Sequence, residues 1–157
     1  TEKENKEKEK KIMPIKSFKG KIANDTIDTI ILHTNTGSIG YRIVKFQLMG
    51  ISENKDYEAT VKIFKIPQDS TTLSAEVDFS DNTLLAAGLY GDSTSGSVQS
   101  DQTIIFDNEI FNQDIYVCHK AASGTHPINY YIELEQVRLS LDENSVATLK
   151  DIRNIKQ

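Results

Sequence analysis

Short runs of β-branched and aromatic residues fill the chain from Phe18 onward, and Gly, Asn, Asp and Ser separate them. This pattern is typical of consecutive β-strands joined by turns. Several runs alternate with period two, so that Ala59, Val61 and Ile63 would share one face of their strand. The predicted strands cover residues 27–33, 41–49, 57–66, 84–90, 103–106, 115–119 and 130–139.

Seven or eight short strands at this spacing predict an all-β fold, an antiparallel β-sandwich or jelly roll. Asn35-Thr36-Gly37 would supply the positive φ of a hairpin turn, and residues 91–96 (GDSTSG) read as a loop tip. We expect a shared core built from the apolar phase of the strands: Ala59, Val61, Ile63, Ile104, Phe106, Ile115, Val117, Ile132 and Leu134.

The two ends of the chain differ from this pattern. Residues 1–11 (TEKENKEKEKK) have no apolar side chain to bury, so residues 1–13 are predicted to be a charged arm, disordered or ordered by a partner. After Asp142, an N-cap candidate, Val146, Leu149 and Ile152 recur at helical spacing. Residues 14–157 are therefore predicted to form the sandwich domain, with a short C-terminal helix.

Composition narrows the classes of function. Residues 1–11 hold four of the 23 acids and five of the 18 bases, so the remainder is acidic and has no overall attraction for nucleic acid. The one cysteine, Cys118, excludes an intrachain disulfide. No apolar stretch is long enough to cross a bilayer, and the N-terminus does not resemble a signal peptide.

The sequence gives little support for a metal site. His33, His119 and His126 are the only histidines, and with Cys118 they would be the zinc ligands. Neighbouring residues on a strand point to opposite faces, so Cys118 and His119 read instead as a buried thiol beside a surface imidazole. The oxygen-rich runs 78–82 and 107–109, with Asp114, suit calcium or ordinary turns, and turns are favoured because the spacing is not that of an EF-hand.

Two pairs of residues are candidates for a nucleophile and its base, Ser123 with His126 and Cys118 with His119. Ser123 lacks the strand-to-helix elbow of hydrolases, and no residue near Cys118 is identifiable as its activator. The residues therefore predict a protein that is not an enzyme and that needs no cofactor or metal.

The stretch from Gly20 to Asn154 resembles a family of small virion structural proteins of marine tailed phages, of the kind that infect cyanobacteria and abundant ocean heterotrophs. The resemblance lies in residues 27–30 (IDTI), 33–37 (HTNTG), 40–46 (GYRIVKF), 81–87 (DNTLLAA), 104–108 (IIFDN), 111–117 (FNQDIYV), 129–135 (NYYIELE) and 147–153 (ATLKDIR). It covers most of the chain but contains no catalytic motif.

The resemblance implies a place on the phage particle, with assembly in the host cytoplasm. We expect a head decoration or knob protein that docks on the major capsid protein, and self-association is a further option. The alternatives are a tail component (an adaptor, a tail-tube partner or a fibre-associated module) and a carbohydrate-binding module. In the last case Tyr90, Tyr130 and Tyr131 would form the sugar platform. Nucleic acid and membranes are not expected partners.

Overall fold

The computed structural model describes residues 14–53, 55–93, 100–106, 109–140, 142, 147 and 148. Within them the chain forms eight β-strands. They are β1 (Ile15–Ile22), β2 (Thr26–Ile30), β3 (Ile39–Gly50), β4 (Tyr57–Phe64), β5 (Leu84–Asp92), β6 (Ser100–Ile105), β7 (Ile115–Ser123) and β8 (Ile128–Arg138). The predicted all-β class is confirmed.

The strands form two antiparallel sheets, one of three strands in the order β1-β8-β3 and one of five in the order β2-β7-β4-β5-β6. The first strand thus pairs with the eighth, the second with the seventh and the fourth with the fifth. This nested pairing is that of a jelly roll, in which one long hairpin is rolled into a sandwich. β6 is the exception to this nested pairing. It does not pair with β3 but with β5, its neighbour in sequence.

The main core lies between the two sheets. The alternation in β8 places Ile128, Ile132 and Leu134 inside, each fully buried. β4 does the same from the other sheet with Val61 and Ile63. Seven of the nine predicted core residues are in this cluster: Ala59, Val61, Ile63, Ile115, Val117, Ile132 and Leu134.

A segment without regular structure, residues 65–83, covers the outer face of the five-stranded sheet, and we call it the cover segment. Its ends meet where the Lys65 amide donates to the Thr83 carbonyl at 3.0 Å. Thr60 and Lys62 on β4 donate to the carbonyls of Ala75 and Glu76 at 2.7 and 2.8 Å, which anchors its middle. Beneath it lies a second apolar cluster formed by Phe64, Leu84, Ala87 and Cys118, with Ile27, Leu73, Val77 and Phe106 packed against it.

Two predicted core residues were placed wrongly. Ile104 is 43% exposed, and its neighbour Ile105 packs on the main core instead. The register explains this, because Ile105 pairs with Ala86 of the main core whereas Ile104 pairs with Ala87 of the second cluster. Phe106 belongs to the second cluster, not to the shared core.

The turn and helix predictions had mixed outcomes. Gly37 has the predicted positive φ of 62°, but its turn joins strands of different sheets and is not a hairpin. β1 was missed. Of the predicted C-terminal helix only Asp142, Ala147 and Thr148 are described, and these are helical. Val146, Leu149 and Ile152 lie outside the described residues, as do residues 1–13 of the predicted arm and residues 94–99 of the predicted loop tip.

Candidate functional site

The Cys118–His119 pair cannot act as a nucleophile and its base. Their side chains lie on opposite faces of β7, as predicted, with Cys118 buried under the cover segment. Burial raises the pKa of the Cys118 thiol to about 12, so the thiolate is scarce at neutral pH. His119 is fully buried, and the predicted surface imidazole is therefore wrong. Its Nδ1 lies 3.2 Å from the Ile22 carbonyl oxygen, and burial lowers its pKa.

The other two histidines have structural contacts in separate parts of the fold. The His126 and Tyr57 rings pack edge to face, with 5.3 Å between their centroids. Ser123, the proposed partner of His126, is exposed at the end of β7. His33 Nδ1 lies 2.7 Å from Asp114 Oδ1, and this oxygen also accepts the backbone amides of Leu32 and His33. Burial would raise the pKa of Asp114, but these hydrogen bonds outweigh it and lower the pKa. Asp114 thus fixes the chain after β2.

Three aspartates of the cover segment stabilise turns by accepting hydrogen bonds. Asp69, Asp78 and Asp81 each accept, through Oδ1, the backbone amide and the hydroxyl of the residue two positions later. This D-x-S/T arrangement is the Asx turn expected from such residues. The hydrogen bonds from Ser80 lower the pKa of Asp78, which keeps it ionised.

The predicted calcium ligands that lie within the described residues are not brought together. Glu109 forms an ion pair with the buried Lys65, whose Nζ donates a hydrogen bond to Glu109 Oε1 at 2.6 Å, and Asp114 is paired with His33. Asp107 and Asn108 lie outside the described residues. Across the part of the chain that is described, no group of three or more His, Cys, Asp or Glu side chains is arranged to hold a metal ion.

The three tyrosines proposed as a sugar platform do not share a surface. Tyr90 and Tyr130 are buried, and the Tyr130 hydroxyl donates to Asp28 Oδ2 at 3.0 Å inside the sandwich. Tyr131 alone faces outward, where Lys45 Nζ lies 5.8 Å from its ring centroid. A lysine over the ring occupies the face on which a sugar would stack.

The most distinctive surface is apolar and lies beside the β5–β6 hairpin. Phe79 of the cover segment, Leu89 of β5 and Ile104 of β6 are exposed by 62%, 45% and 43%. These side chains line an open groove of about 520 Å³, together with Val77 and the backbone of Gly88. We call Phe79, Leu89 and Ile104 the hairpin surface. Grouped apolar side chains of this kind mark sites of protein contact, whereas single ones are ordinary.

β6 adds a second feature to the hairpin surface. It is the last strand of its sheet, so one side of its backbone has no partner strand within the described residues. Such an edge offers amide and carbonyl groups to another chain. Acidic residues limit aggregation there. Asp101 lines the groove, and the exposed Glu76 and Asp78 are the sequence neighbours of Val77, which also lines it. The arrangement provides an apolar centre with a charged rim, which is the usual anatomy of a protein interface.

Sequence reasoning missed the hairpin surface because it assigned Ile104 to the core. A signal was present, since the adjacent pair Ile104-Ile105 must place one isoleucine on each face of a strand. The segment that carries Phe79 has no periodicity from which its position could be read.

The described residues contain no helix with the length and apolar character needed to span a membrane. A scan against models of protein families finds no match, and a search of curated proteins finds none either.

Proposed function

We propose that this chain is a non-enzymatic structural protein of a virus particle, a head decoration protein that sits on the major capsid lattice and acts through protein contacts. The observation that carries the proposal is the hairpin surface, an exposed apolar groove beside an open strand edge. A monomeric soluble domain gains nothing from exposing such a groove, whereas a docking protein requires one.

Two further arguments support the particle as the location. The resemblance of residues 20–154 to virion structural proteins of marine tailed phages covers most of the described sandwich. Jelly rolls also recur among capsid proteins. Since one fold serves many functions, the fold adds weight only together with the contact surface.

The environments of the proposed nucleophiles favour a contact protein over an enzyme. The Cys118 thiol is buried with its pKa raised to about 12, and the His119 imidazole is buried on the opposite face. The Tyr131 ring is covered by Lys45, which disfavours a sugar-binding role.

Reconstitution on particles tests the proposal. Phage particles stripped of this protein would be incubated with the purified chain in a chelator at physiological salt, and the bound copies counted. We expect saturable rebinding at a copy number that matches the lattice. Binding of only a few copies at one vertex would indicate a tail component instead, and rebinding that requires added calcium or zinc would contradict the metal-free contact.

A matched pair of variants locates the contact. Ile104→Glu places a charge in the hairpin surface, while Ile31→Glu places one at another exposed isoleucine, beyond the end of β2 at the opposite edge of the same sheet. Rebinding should fall by about tenfold or more for Ile104→Glu, as for a central interface residue. Equal rebinding by both variants would show that the hairpin surface is not used.

A further inference from the structure

Among the described residues, the two sheets end in four edge strands, β1 and β3 in one sheet and β2 and β6 in the other. The free backbone groups of an edge strand can pair with a strand of another chain. Proteins therefore protect such edges with lysines, with bulges or by keeping the strand short. The four edges of this sandwich differ in how far they are protected.

β1, β2 and β3 each carry one of these protections. β1 contains three lysines, and β2 is only five residues long. β3 has a bulge between Ile43 and Lys45. Part of its edge is also occupied, since Tyr41 and Phe111 exchange two backbone hydrogen bonds of 2.8 and 3.0 Å. These three edges are poor sites for a further strand.

β6 has none of these three protections. Its residues 100–105 (SDQTII) include no lysine, arginine or proline, and its pairing with β5 contains no bulge. Thr103, Ile104 and Ile105 favour the extended conformation. Residues 100–104 are exposed on both faces of the strand, so the described part of the chain leaves this edge accessible.

The backbone groups of β6 point alternately toward β5 and away from it. The Phe106 amide donates to the Leu85 carbonyl at 3.0 Å, which continues the β5–β6 ladder by one pair. Backbone groups alternate in direction along an antiparallel strand. By this alternation those of Ile104 point to β5, whereas those of Thr103 and Asp101 point to the open edge.

The charge around β6 is acidic. Asp101 is the one charged residue of the strand, and the exposed Glu76 and Asp78 flank Val77, which lines the adjacent groove. Pairing with β6 of a second copy would bring the same acids together, which is unfavourable. Burial raises the pKa of Asp101, so a nearby cation would favour its carboxylate form. The edge therefore suits a basic strand.

We propose that an extended segment of the major capsid protein adds to the β6 edge as a sixth strand of the larger sheet. The inference rests on the proposed function, because it states how the same contact surface binds. The segment exchanges backbone hydrogen bonds with Asp101 and Thr103, and it carries a lysine or arginine beside Asp101. Its outer side chains are apolar, because they pack against Ile104 of the hairpin surface.

Amide hydrogen exchange tests the added strand. Stripped particles are saturated with the purified chain, and exchange in its peptic fragments is compared with that of the free chain by mass spectrometry. We expect exchange across residues 101–103 to slow by about tenfold or more on binding, because the outward amides then donate to the partner. Unchanged exchange there in a chain that has rebound would overturn the inference and leave the proposed function standing. A chain that does not rebind would contradict the proposed function itself.

A matched pair of variants separates backbone pairing from side-chain contact. Thr103→Pro removes the outward amide, whereas Thr103→Ala removes the side chain and keeps the amide. Proline is tolerated on an edge strand at such a position, so both variants should melt like the parent chain. Rebinding should weaken by about tenfold or more for Thr103→Pro and by less than about threefold for Thr103→Ala. Equal rebinding by both would overturn the added strand, and the exchange measurement on the parent chain decides the matter if Thr103→Pro does not fold.

A second pair of variants tests the basic character of the partner. Asp101→Lys places a cation beside the lysine or arginine of the added strand, while Ile31→Lys places one beyond β2, at the opposite edge of the same sheet. Rebinding should weaken by about tenfold or more for Asp101→Lys and by less than about twofold for Ile31→Lys. Rebinding of Asp101→Lys at the level of the parent chain would show that the partner is not basic there and would overturn that part of the inference.

Discussion

Replacing Ile132 by Ala should destabilise the sandwich strongly. Its side chain is 0% exposed, and the registers place it between Phe18 on β1 and Phe46 on β3. The substitution removes three carbons, which at about 0.8 kcal/mol per buried methylene amounts to roughly 2.4 kcal/mol. The cavity adds to this loss, so we expect a total of about 2 to 5 kcal/mol in the free energy of unfolding.

Ile104→Ala is the matched control, because it deletes the same atoms from a side chain that is 43% exposed. We expect it to cost less than about 1.5 kcal/mol, because nearly half of this side chain is already exposed to water and its removal leaves no enclosed cavity. Urea unfolding followed by far-ultraviolet circular dichroism gives both free energies, and an unchanged denaturant dependence would show that the unfolded state is the same. Equal losses for the two variants would refute the inward phase of β8 and the outward position of Ile104.

Three further predictions concern titration, reactivity and order. The Cys118 thiol should resist alkylating reagents in the folded protein and react once it is unfolded, because burial raises its pKa to about 12; fast labelling at neutral pH would contradict its position. Burial lowers the pKa of His119, so its contribution to stability should be complete above about pH 6.5 and be lost as the pH falls below that value. His119→Gln should flatten this dependence in urea unfolding between about pH 5 and 8, and an unchanged slope would exclude the residue as its source. Residues 1–11 should have low backbone order parameters in the isolated protein, and rigid values would refute the prediction of an arm.

The sequence predicted the position and the inward face of a strand correctly where the other face of that strand is exposed to solvent. In β8 the alternation of Tyr130, Ile132 and Leu134 with polar neighbours determines both the strand and its phase, and all three side chains are buried as that phase requires. The same reasoning failed for β6, because Ile104 and Ile105 are adjacent and either could face inward. It missed β1 because an edge strand with three lysines resembles a polar segment.

The surroundings of His119 and Lys62 could not be predicted, because both depend on contacts between distant segments. The end of β1 covers His119, so a polar residue became a buried one. The cover segment has no periodic pattern, yet it buries Lys62 by offering the Glu76 carbonyl to its ammonium group. A buried lysine requires such a partner, and no local rule supplies it.

The hairpin surface has the same origin, and this explains why function was harder to predict than fold. Phe79, Leu89 and Ile104 come from the cover segment, β5 and β6, and in sequence each is a single apolar residue of a kind common on protein surfaces. These three side chains line one groove only because β5 pairs with β6 and because the cover segment packs on the outer face of the same sheet. A core is specified by patterns within each strand, whereas a contact surface is specified by which strands become neighbours. A mutation that alters the surface alone should therefore abolish contact while the sandwich remains folded.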